Sequence, residues 1–413
     1  MAADELRGDV GPDLGPKLGP ARPRAPLLLL VALTAAAPFA LQIFLPALPA
    51  IQAAFGVSAG TAQLVLSLSI LANAVATLAY GPLADRFGRR PVLLGGLAAF
   101  VLGSLLSTVA PTIGLLVWGR VIQSVGAAAG MVLARAIVRD LYDRETAAKM
   151  IAYLIMAMVV APMMAPAIGA LLLEFVGWRA VFGLVLVYGL VLALDTLLRL
   201  DETRPHDAPS GGWAQVFRGA TELILDRRFA AYVLQSAFQL CVFYSFLAGA
   251  PYFMIQVLGR PATEYAIWFM VISAGFMAGN FLAARATARV GVDRMILIGS
   301  VIALLFALLA LALLAAVSWH QASLFAPMVG VAFANGLTVP NAQAGALSVR
   351  PRLAGSASGI AGFAQMSAAA VVSQVVGMLQ DGTPYPMALF MVALAGLSLI
   401  GFILPRRGLP EPA

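Results

Sequence analysis

The sequence predicts an all-α transmembrane protein, and its composition, the lengths of its apolar segments and the positions of its basic residues each support this fold class. Of the 413 residues, 61% are hydrophobic and only 11% are charged. Soluble domains are nearer one-half apolar and one-quarter charged. A soluble chain of this length has too little interior to bury so many apolar side chains, so part of the surface must face lipid.

Twelve apolar segments are each long enough to cross a bilayer, which takes about 20 residues of helix. Only helices or closed barrels satisfy their backbone hydrogen bonds in lipid, and these segments are too long and too uniformly apolar for barrel strands. The first segment also fits a cleaved signal peptide, an alternative that the later segments disfavour. We expect helices near 27–49, 61–82, 91–110, 113–135, 148–173, 178–198, 229–256, 264–284, 293–316, 320–346, 354–379 and 385–404.

The basic residues indicate how the chain is oriented. Arg and Lys cluster in the connections after helices two, four, six, eight and ten, whereas the alternate connections carry only Arg179 and Arg260. Basic loops stay in the cytoplasm. We therefore expect both termini in the cytoplasm of a bacterial inner-membrane protein. Residues 1–24, rich in Gly and Pro, are expected to form a disordered tail and 405–413 a second tail.

A polar stretch, 199–228, separates two sets of six helices, 25–198 and 229–404. This arrangement predicts two pseudo-symmetric halves, as transporters built from internal repeats have. Apolar side chains recur at helical spacing within the stretch and predict a short helix lying in the membrane interface. They are Trp213, Val216, Phe217 and Ile224. A solvated linker is the alternative.

The sequence argues against several other classes of protein. The net charge of +7 is carried by short clusters between apolar segments, so nucleic acid is not the expected partner. A single Cys, Cys241, excludes an internal disulfide and a Cys-rich metal site. His206 and His320 have no plausible catalytic neighbours in sequence, and no phosphate-binding loop for ATP occurs. We expect a transporter rather than an enzyme, with no metal or cofactor.

The stretch from Gly81 to Pro91 reads GPLADRFGRRP. It resembles the loop motif of the major facilitator superfamily, which implies the twelve-helix fold of that superfamily. Two glycines, Gly81 and Gly88, permit a tight turn. Asp85 can pair with a neighbouring Arg or cap a helix N-terminus of the adjacent half, as a latch that stabilises one conformation. A salt-bridged loop without a gating role is the alternative.

Helix four contains WGRVIQSVGAA from Trp118 to Ala128. It is similar to the R-x-x-Q-G pattern of the superfamily, with Ser124 where Gly is usual. Arg120 lies about 10 Å along the helix, and an Arg at that depth must face protein or water. We expect Arg120 and Gln123 to bind substrate or couple transport. A purely structural hydrogen-bonding role is the alternative.

Helix five reads APMMAPAIGA from Ala161 to Ala170 and looks like the superfamily's antiporter motif, with Ala at several Gly positions. Pro162 and Pro166 are expected to bend this helix, and Gly169 to allow close packing. Together with the gating loop, these elements predict a set of gating residues. The set is Asp85, Arg86, Gly88, Arg89, Arg90, Arg139, Asp140, Pro162, Pro166 and Gly169.

Three further segments narrow the resemblance: LPALP at 45–49, RAIVRDLY at 135–142 and the pair Trp178-Arg179. They resemble the Bcr/CflA group of multidrug:proton antiporters, which implies export of amphipathic drugs by alternating access. The group usually has an Asp in helix one where this chain has Gln42, and Gln carries no proton at physiological pH. A metabolite facilitator or importer without proton coupling therefore stays open as the alternative.

A cavity between the halves, near the bilayer midplane, is where such a transporter binds its substrate. The residues expected there are Phe39, Gln42, Asn73, Arg120, Gln123, Gln235, Gln239, Phe243, Asn335 and Gln365. Apolar walls with scattered amides suit neutral or cationic amphipathic compounds. The alternative for each polar residue is a plain interhelical hydrogen bond. The expected partners are a small-molecule substrate, protons and the lipid bilayer, and we expect a monomer.

Overall fold

The structure is a computed structural model, and it describes residues 25–204, 221–316 and 319–406. Within these ranges, twelve helices are long and apolar enough to cross a membrane. The spans are α1 (Leu27–Phe55), α2 (Ala59–Phe87), α3 (Arg89–Val109), α4 (Ile113–Leu141), α5 (Arg144–Phe175), α6 (Trp178–Arg199), α7 (Arg227–Val257), α8 (Ala262–Val290), α9 (Val292–Ala316), α10 (Gln321–Val349), α11 (Pro351–Met378) and α12 (Tyr385–Arg406). The predicted fold class is confirmed.

Polar side chains placed just before several spans determine where those helices begin. Ser58 accepts a hydrogen bond from the Thr61 N–H at 3.2 Å, and Asp143 accepts one from the Thr146 N–H at 2.9 Å. Asp226 does the same for α7. Each satisfies backbone donors that the first turn of a helix leaves free. The apolar run that follows each cap then continues the helix across the membrane.

Several predicted helix boundaries were wrong; α4 and α8, for example, end at Leu141 and Val290 and not at 135 and 284. The helix expected at 61–82 runs on to Phe87, so Gly81 lies within α2 and the chain turns at Gly88 alone. Gly88 has φ +97°, a conformation that glycine adopts without steric cost. The helix expected at 27–49 is interrupted after Gln42, continues as a 3-10 turn at Leu45–Ala47 and resumes at Leu48. Pro46 and Pro49 each lack the N–H that an uninterrupted ladder needs.

The packing of the helices repeats with a period of six. In the first half, α1 packs on α4 and α5, α2 packs on α4, and α3 packs on α4 and α6. In the second half, α7 packs on α10 and α11, α8 on α10, and α9 on α10 and α12. The main contacts between the halves, α2 on α11 and α5 on α8, are also related by this period.

The turns after α2, α4, α6, α8 and α10 lie at one end of the bundle, which we call the basic face. The other turns lie at the opposite face. Most of the predicted linker helix, including Trp213 and Phe217, lies outside the described residues, as do the tail 1–24 and residues 407–413. The described end of the linker has one helical turn near Leu223, which is fully buried.

Gly169 of α5 packs directly against the backbone of α1. A Cβ atom there would lie 1.8 Å from the carbonyl oxygen of Ile43, at the break in α1. Backbone atoms cannot move aside as a flexible side chain can. The small residue predicted to allow close packing therefore faces the break itself, while Pro162 and Pro166 lie within α5, which is assigned as one helix throughout.

We expect Gly169→Ala to destabilise the protein, by about 1–3 kcal/mol, because the added methyl group overpacks against α1. Thermal unfolding of the detergent-purified protein measures the effect. The control is Gly95→Ala, since a Cβ at Gly95 meets nothing within 4 Å. Equal unfolding temperatures for the two variants would contradict the contact between α5 and the α1 break.

Candidate functional site

Arg120 is completely buried beside the break in α1. Its Nη1 donates to the carbonyl oxygen of Ala40 at 3.0 Å and to Oε1 of Gln123. The ring of Phe44 lies over the guanidinium, 4.2 Å from Cζ to the ring centroid. Carbonyl groups near a helix C-terminus and aromatic faces both stabilise a cation. The Nε and Nη2 atoms of Arg120 have no hydrogen-bond partner among the described residues.

Gln123 continues this cluster toward α3. Its Nε2 donates to the hydroxyl of Ser104 at 2.7 Å, and both residues are fully buried. Asn73 of α2 donates to the carbonyl oxygen of Ser124 at 3.4 Å. The structure thus connects three sequence-predicted residues, Asn73, Arg120 and Gln123, through α4. It also adds Ser104, whose only sequence signal was a hydroxyl in an apolar segment.

Phe39 and Gln42 lie on the helical part of α1, just before its break. The Phe39 ring meets the ring of Tyr188 edge-on, with centroids 5.6 Å apart. The Tyr188 hydroxyl donates to the carbonyl oxygen of Ala32 at 2.6 Å, which joins α6 to α1. Gln42 is half-buried, and its Oε1 has no hydrogen-bond partner among the described residues.

In the second half, the predicted amides connect helices to one another. Gln235 Nε2 donates to the Ser300 hydroxyl of α9 at 3.1 Å. Gln239 Oε1 accepts from Ser398 of α12 at 3.1 Å. Gln365 of α11 donates to Ser236 at 2.8 Å. All three glutamines are buried, so this geometry corresponds to the structural alternative for them, interhelical hydrogen bonds within one half.

Two other residues predicted in the second half, Asn335 and Phe243, have no side-chain hydrogen bond to another helix among the described residues. Asn335 of α10 is buried, and its Oδ1 is without a hydrogen-bond partner in the described part of the chain. Phe243 of α7 is half-buried and packs near Phe269, with ring centroids 6.3 Å apart. Phe246 of the same helix is fully buried against Phe325. The predicted residues of α7 therefore differ in exposure, because Gln235 and Gln239 are buried and Phe243 is half-buried.

The predicted gating residues Asp85, Arg89 and Asp140 form one ionic cluster at the basic face. Arg89 Nη1 lies 2.7 Å from Asp85 Oδ1, and Arg89 Nε lies 3.0 Å from Asp140 Oδ2. The cluster joins the end of α2, the start of α3 and the end of α4. Asp85 therefore pairs with a neighbouring Arg, the first of its two expected roles, and the ion pair lies within the first half.

A third carboxylate, that of Glu202, was not predicted from the sequence, and it caps α3. Glu202 accepts hydrogen bonds from the backbone N–H groups of Arg89 at 2.9 Å and Arg90 at 3.1 Å. A Cβ at Gly88 would lie 2.6 Å from Glu202 Oε2, so the glycine leaves room for the carboxylate. Nothing local in the sequence marks Glu202, since it lies 113 residues from Arg89.

The pKa of the Glu202 carboxyl lies below its ordinary value. Burial raises this pKa. Hydrogen bonds from the backbone N–H groups of Arg204, Arg89, Arg90 and Thr203 lower it, and together they outweigh the effect of burial. Arg90 also donates to the Leu197 carbonyl oxygen at 2.9 Å. The segment after α6 is therefore bound to the turn between α2 and α3.

The remaining predicted gating residues lie around this cluster. Arg86 stacks on Phe87, with 5.1 Å between Cζ and the ring centroid. Its carbonyl oxygen accepts from Arg204 Nη1 at 3.2 Å. Arg139 is exposed in the last turn of α4.

Ion pairs at the basic face of the second half join it to the end of the linker or join its own helices. Arg350 and Arg352 lie 3.8 and 2.8 Å from Glu222. Arg406 pairs with Asp293, which also accepts from the Tyr232 hydroxyl at 2.7 Å.

At the opposite face, by contrast, hydrogen bonds join the two halves. Gln63 of α2 donates to Ser373 of α11 at 2.7 Å. Ser67 donates to Gln374 at 2.6 Å, and Gln374 donates to the Gly60 carbonyl oxygen at 2.9 Å. We call these residues (Gly60, Gln63, Ser67, Ser373 and Gln374) the amide latch. Their only sequence signal was polar side chains in apolar spans.

Comparison with known proteins identifies the family. A family profile described as Major Facilitator Superfamily matches residues 30–373. The chain belongs to the Major Facilitator Superfamily. It is 30% identical over 383 residues to multidrug resistance protein D of Escherichia coli strain K12, covering 92% of this chain and 95% of that protein. It is 26% identical over 382 residues to a bicyclomycin resistance protein homolog of Haemophilus influenzae, covering 91% and 94%.

Solved structures with the same fold include a bacterial homolog of the human lysosomal transporter Spinster. That structure matches with a TM-score of 0.75 at 19% identity, covering 94% of this chain and 98% of the other. At that identity the likeness shows the fold alone. The family profile and the relatives confirm the resemblance of the sequence to the superfamily, and the solved structures agree with its twelve-helix fold.

The amide latch of this Major Facilitator Superfamily protein allows a direct test of closure. We expect Gln374→Ala to loosen the opposite face, because it removes two hydrogen bonds that join the halves. The reporter is Ala62→Cys in a Cys241→Ser background, since Ala62 is only 3% exposed beside the latch. Faster alkylation of this reporter by a membrane-impermeant maleimide is the expected result.

The matched control is Gln321→Ala, which removes a 2.9 Å hydrogen bond to Glu264 at the same face but within one half. With this variant, the maleimide should alkylate the Ala62→Cys reporter at the same rate as it does when Gln374 and Gln321 are both present. Equal rates for Gln374→Ala and Gln321→Ala would show that the amide latch does not hold the halves together.

Glu202 predicts a pH dependence of stability. Its pKa is lowered in the folded state, so its contribution is complete above about 4.5, the ordinary value, and is lost as the pH falls below that value. We expect the protein to unfold at a higher temperature than Glu202→Gln at pH 7 and pH 5, with the difference shrinking at pH 4. Glu145→Gln, at an exposed carboxyl, is the control. A difference that does not change with pH would contradict the capping role.

Proposed function

We propose that this chain exports small amphipathic compounds, drugs among them, by alternating access. The distribution of polar contacts between the halves carries the proposal. Hydrogen bonds join the halves at the opposite face, through the amide latch, whereas the ion pairs described at the basic face join helices of one half or join the linker to the second half. This arrangement fits a state closed at the opposite face, and opening the latch would expose the other side.

The direction of transport and the membrane topology follow from three supports. Basic residues cluster at one face, which the distribution rule assigns to the cytoplasm. The fifth helix resembles the antiporter motif that accompanies export. Two relatives that cover more than 90% of this chain are named for resistance to drugs. We therefore infer that both termini lie on the cytoplasmic side of a bacterial inner membrane. We also propose that the protein acts as a monomer.

We also propose that export is coupled to the movement of protons in the opposite direction. The resemblance to multidrug:proton antiporters supports it, and the ionic cluster of Asp85, Arg89 and Asp140 supplies carboxylates that face the cytoplasm in this topology. A facilitator or importer for a metabolite, without proton coupling, is the second candidate. Gln42 favours it, because this amide stands where the related group has an Asp and cannot carry a proton.

Drug accumulation in a pump-deficient bacterium tests the proposed function. The compounds are chloramphenicol, florfenicol, bicyclomycin and a cationic dye. We expect the protein to lower the accumulation of at least one compound, and a protonophore to restore it. Arg120→Ala and Asp85→Ala should abolish the lowering of accumulation while the amount of protein in the membrane is unchanged. Arg120→Ala removes the centre of the buried cluster, and Asp85→Ala removes one carboxylate of the ionic cluster.

Arg260→Ala is the matched control, since this exposed Arg lies in a turn at the opposite face. It should behave as the parent protein. Accumulation equal to that of empty cells for every compound would overturn export, and net uptake down a gradient that ignores an imposed pH difference would favour the facilitator. Normal export by both Arg120→Ala and Asp85→Ala would overturn the roles proposed for these two residues.

A further inference from the structure

The start of α8 is not capped by the residue that precedes it. Pro261, at that position, offers no side-chain acceptor to the first turn. Several other spans are capped by the side chain that directly precedes the helix, namely Ser58, Thr112, Asp143, Asp226 and His320. The free N–H groups at a helix start still need acceptors, and the partial positive charge there favours an anion.

The acceptor for the first turn of α8 comes from the other half of the protein. Glu174, in the last turn of α5, accepts a hydrogen bond from the Thr263 N–H at 3.1 Å. The α5–α8 contact beside it includes small apolar residues, Ala170, Ala262 and Ala266. A carboxylate of the first half therefore caps a helix of the second half, and we call this bond the cross-half cap. It can form only while the halves touch at the opposite face.

The cross-half cap differs from the other bonds between the halves because it contains a titratable side chain. The bonds of the amide latch join amides, hydroxyl groups and a backbone carbonyl. Gln256 donates to the Gln52 side chain and to the Pro49 carbonyl oxygen, which are also neutral. Glu174 is exposed, so protons reach it from the solvent. In the inferred topology this solvent lies outside the cell.

The other titratable groups around this end of α5 have no described bond that crosses between the halves. α1, which packs on α5, has no charged residue. The groups on the remaining neighbours are Glu264, which accepts from Gln321 at 2.9 Å, His320, which accepts from the Ala322 N–H at 3.2 Å, Arg179, which donates to the Ala110 carbonyl oxygen at 3.2 Å, the exposed Arg260, the half-buried Tyr252 and the fully buried Tyr265. The response of the contact between the halves to pH is therefore assigned to Glu174.

We propose that Glu174 makes opening of the opposite face sensitive to the pH outside the cell. Its carboxylate caps α8 and favours the closed state, whereas protonation from outside favours opening. A charged acceptor forms a stronger hydrogen bond than a neutral one, and only the charged form is stabilised by the helix start. Because the closed state prefers the carboxylate, a lower outside pH shifts the protein toward the open state. Glu174 is a positioning residue that carries no proton across the membrane. The inference rests on the proposed alternating access and names its regulation.

The test is alkylation of the Ala62→Cys reporter, in the Cys241→Ser background, by an impermeant thiol reagent added to right-side-out membrane vesicles with an interior at pH 7.5. Ala62 lies on α2, at the other contact between the halves, so it reports opening of the whole face. At an outside pH of 7.5, we expect Glu174→Gln to label about threefold faster than the protein with Glu174. At pH 4.5 this ratio should fall below two, because Glu174 is then partly protonated as well. Both rates are measured at the same pH, so the reactivity of the thiol and the titration of neighbouring groups cancel.

The matched control is Glu264→Gln, which removes a carboxylate in the same first turn of α8. Glu264 bonds to Gln321 within the second half, so this variant should label at the rate of the protein with Glu264. Equal acceleration by Glu264→Gln and Glu174→Gln would assign the effect to charge at the helix start and overturn the role of the cross-half cap. Labelling of Glu174→Gln at the unchanged rate at pH 7.5 would overturn it too. A threefold ratio that persists at pH 4.5 would overturn the sensitivity to pH.

The failure of this inference can be told from the failure of the proposed function, because the labelling needs no transported compound. Unchanged labelling of Glu174→Gln, in a protein that lowers drug accumulation in cells, would overturn the cross-half cap alone. Labelling that responds to Glu174 and to pH as expected, in a protein without effect on accumulation, would support the cap and overturn export.

Discussion

The enclosure of Arg120 at the break in α1 is the interaction on which the first half depends. The break presents the Ala40 carbonyl oxygen and the Phe44 ring to the guanidinium. It also brings the Ile43 carbonyl to the point where only a glycine of α5, Gly169, fits. One irregular turn of α1 therefore determines how α4 and α5 pack. An uninterrupted helix would direct Phe44 elsewhere and would leave Gln123 Oε1 as the one acceptor described for this buried cation, whose removal from water costs several kcal/mol.

The internal repeat explains why the two contacts between the halves occupy related positions but differ in chemistry. Gln52 and Gln256, which are 204 residues apart, meet each other at 3.4 Å across the opposite face. At the α2–α11 contact the chain uses the amide latch, whereas at the α5–α8 contact it uses small apolar residues such as Ala170 and Ala266. One contact is held by hydrogen bonds between neutral groups. The other combines apolar packing with a hydrogen bond from the Thr263 N–H of α8 to Glu174 Oε1 of α5 at 3.1 Å, so a carboxylate also takes part in closing this face.

The sequence predicted those features that depend on local spacing. Twelve spans followed from segment length, and the link between Arg120 and Gln123 followed from their separation of three residues, which places them on one helix face. The pairing of Asp85 with an Arg followed for the same reason. Glu202 and the amide latch were missed because they depend on contacts between residues more than 100 positions apart. The break in α1 was missed because Pro46 and Pro49 fit an ordinary helix end as well as an interruption.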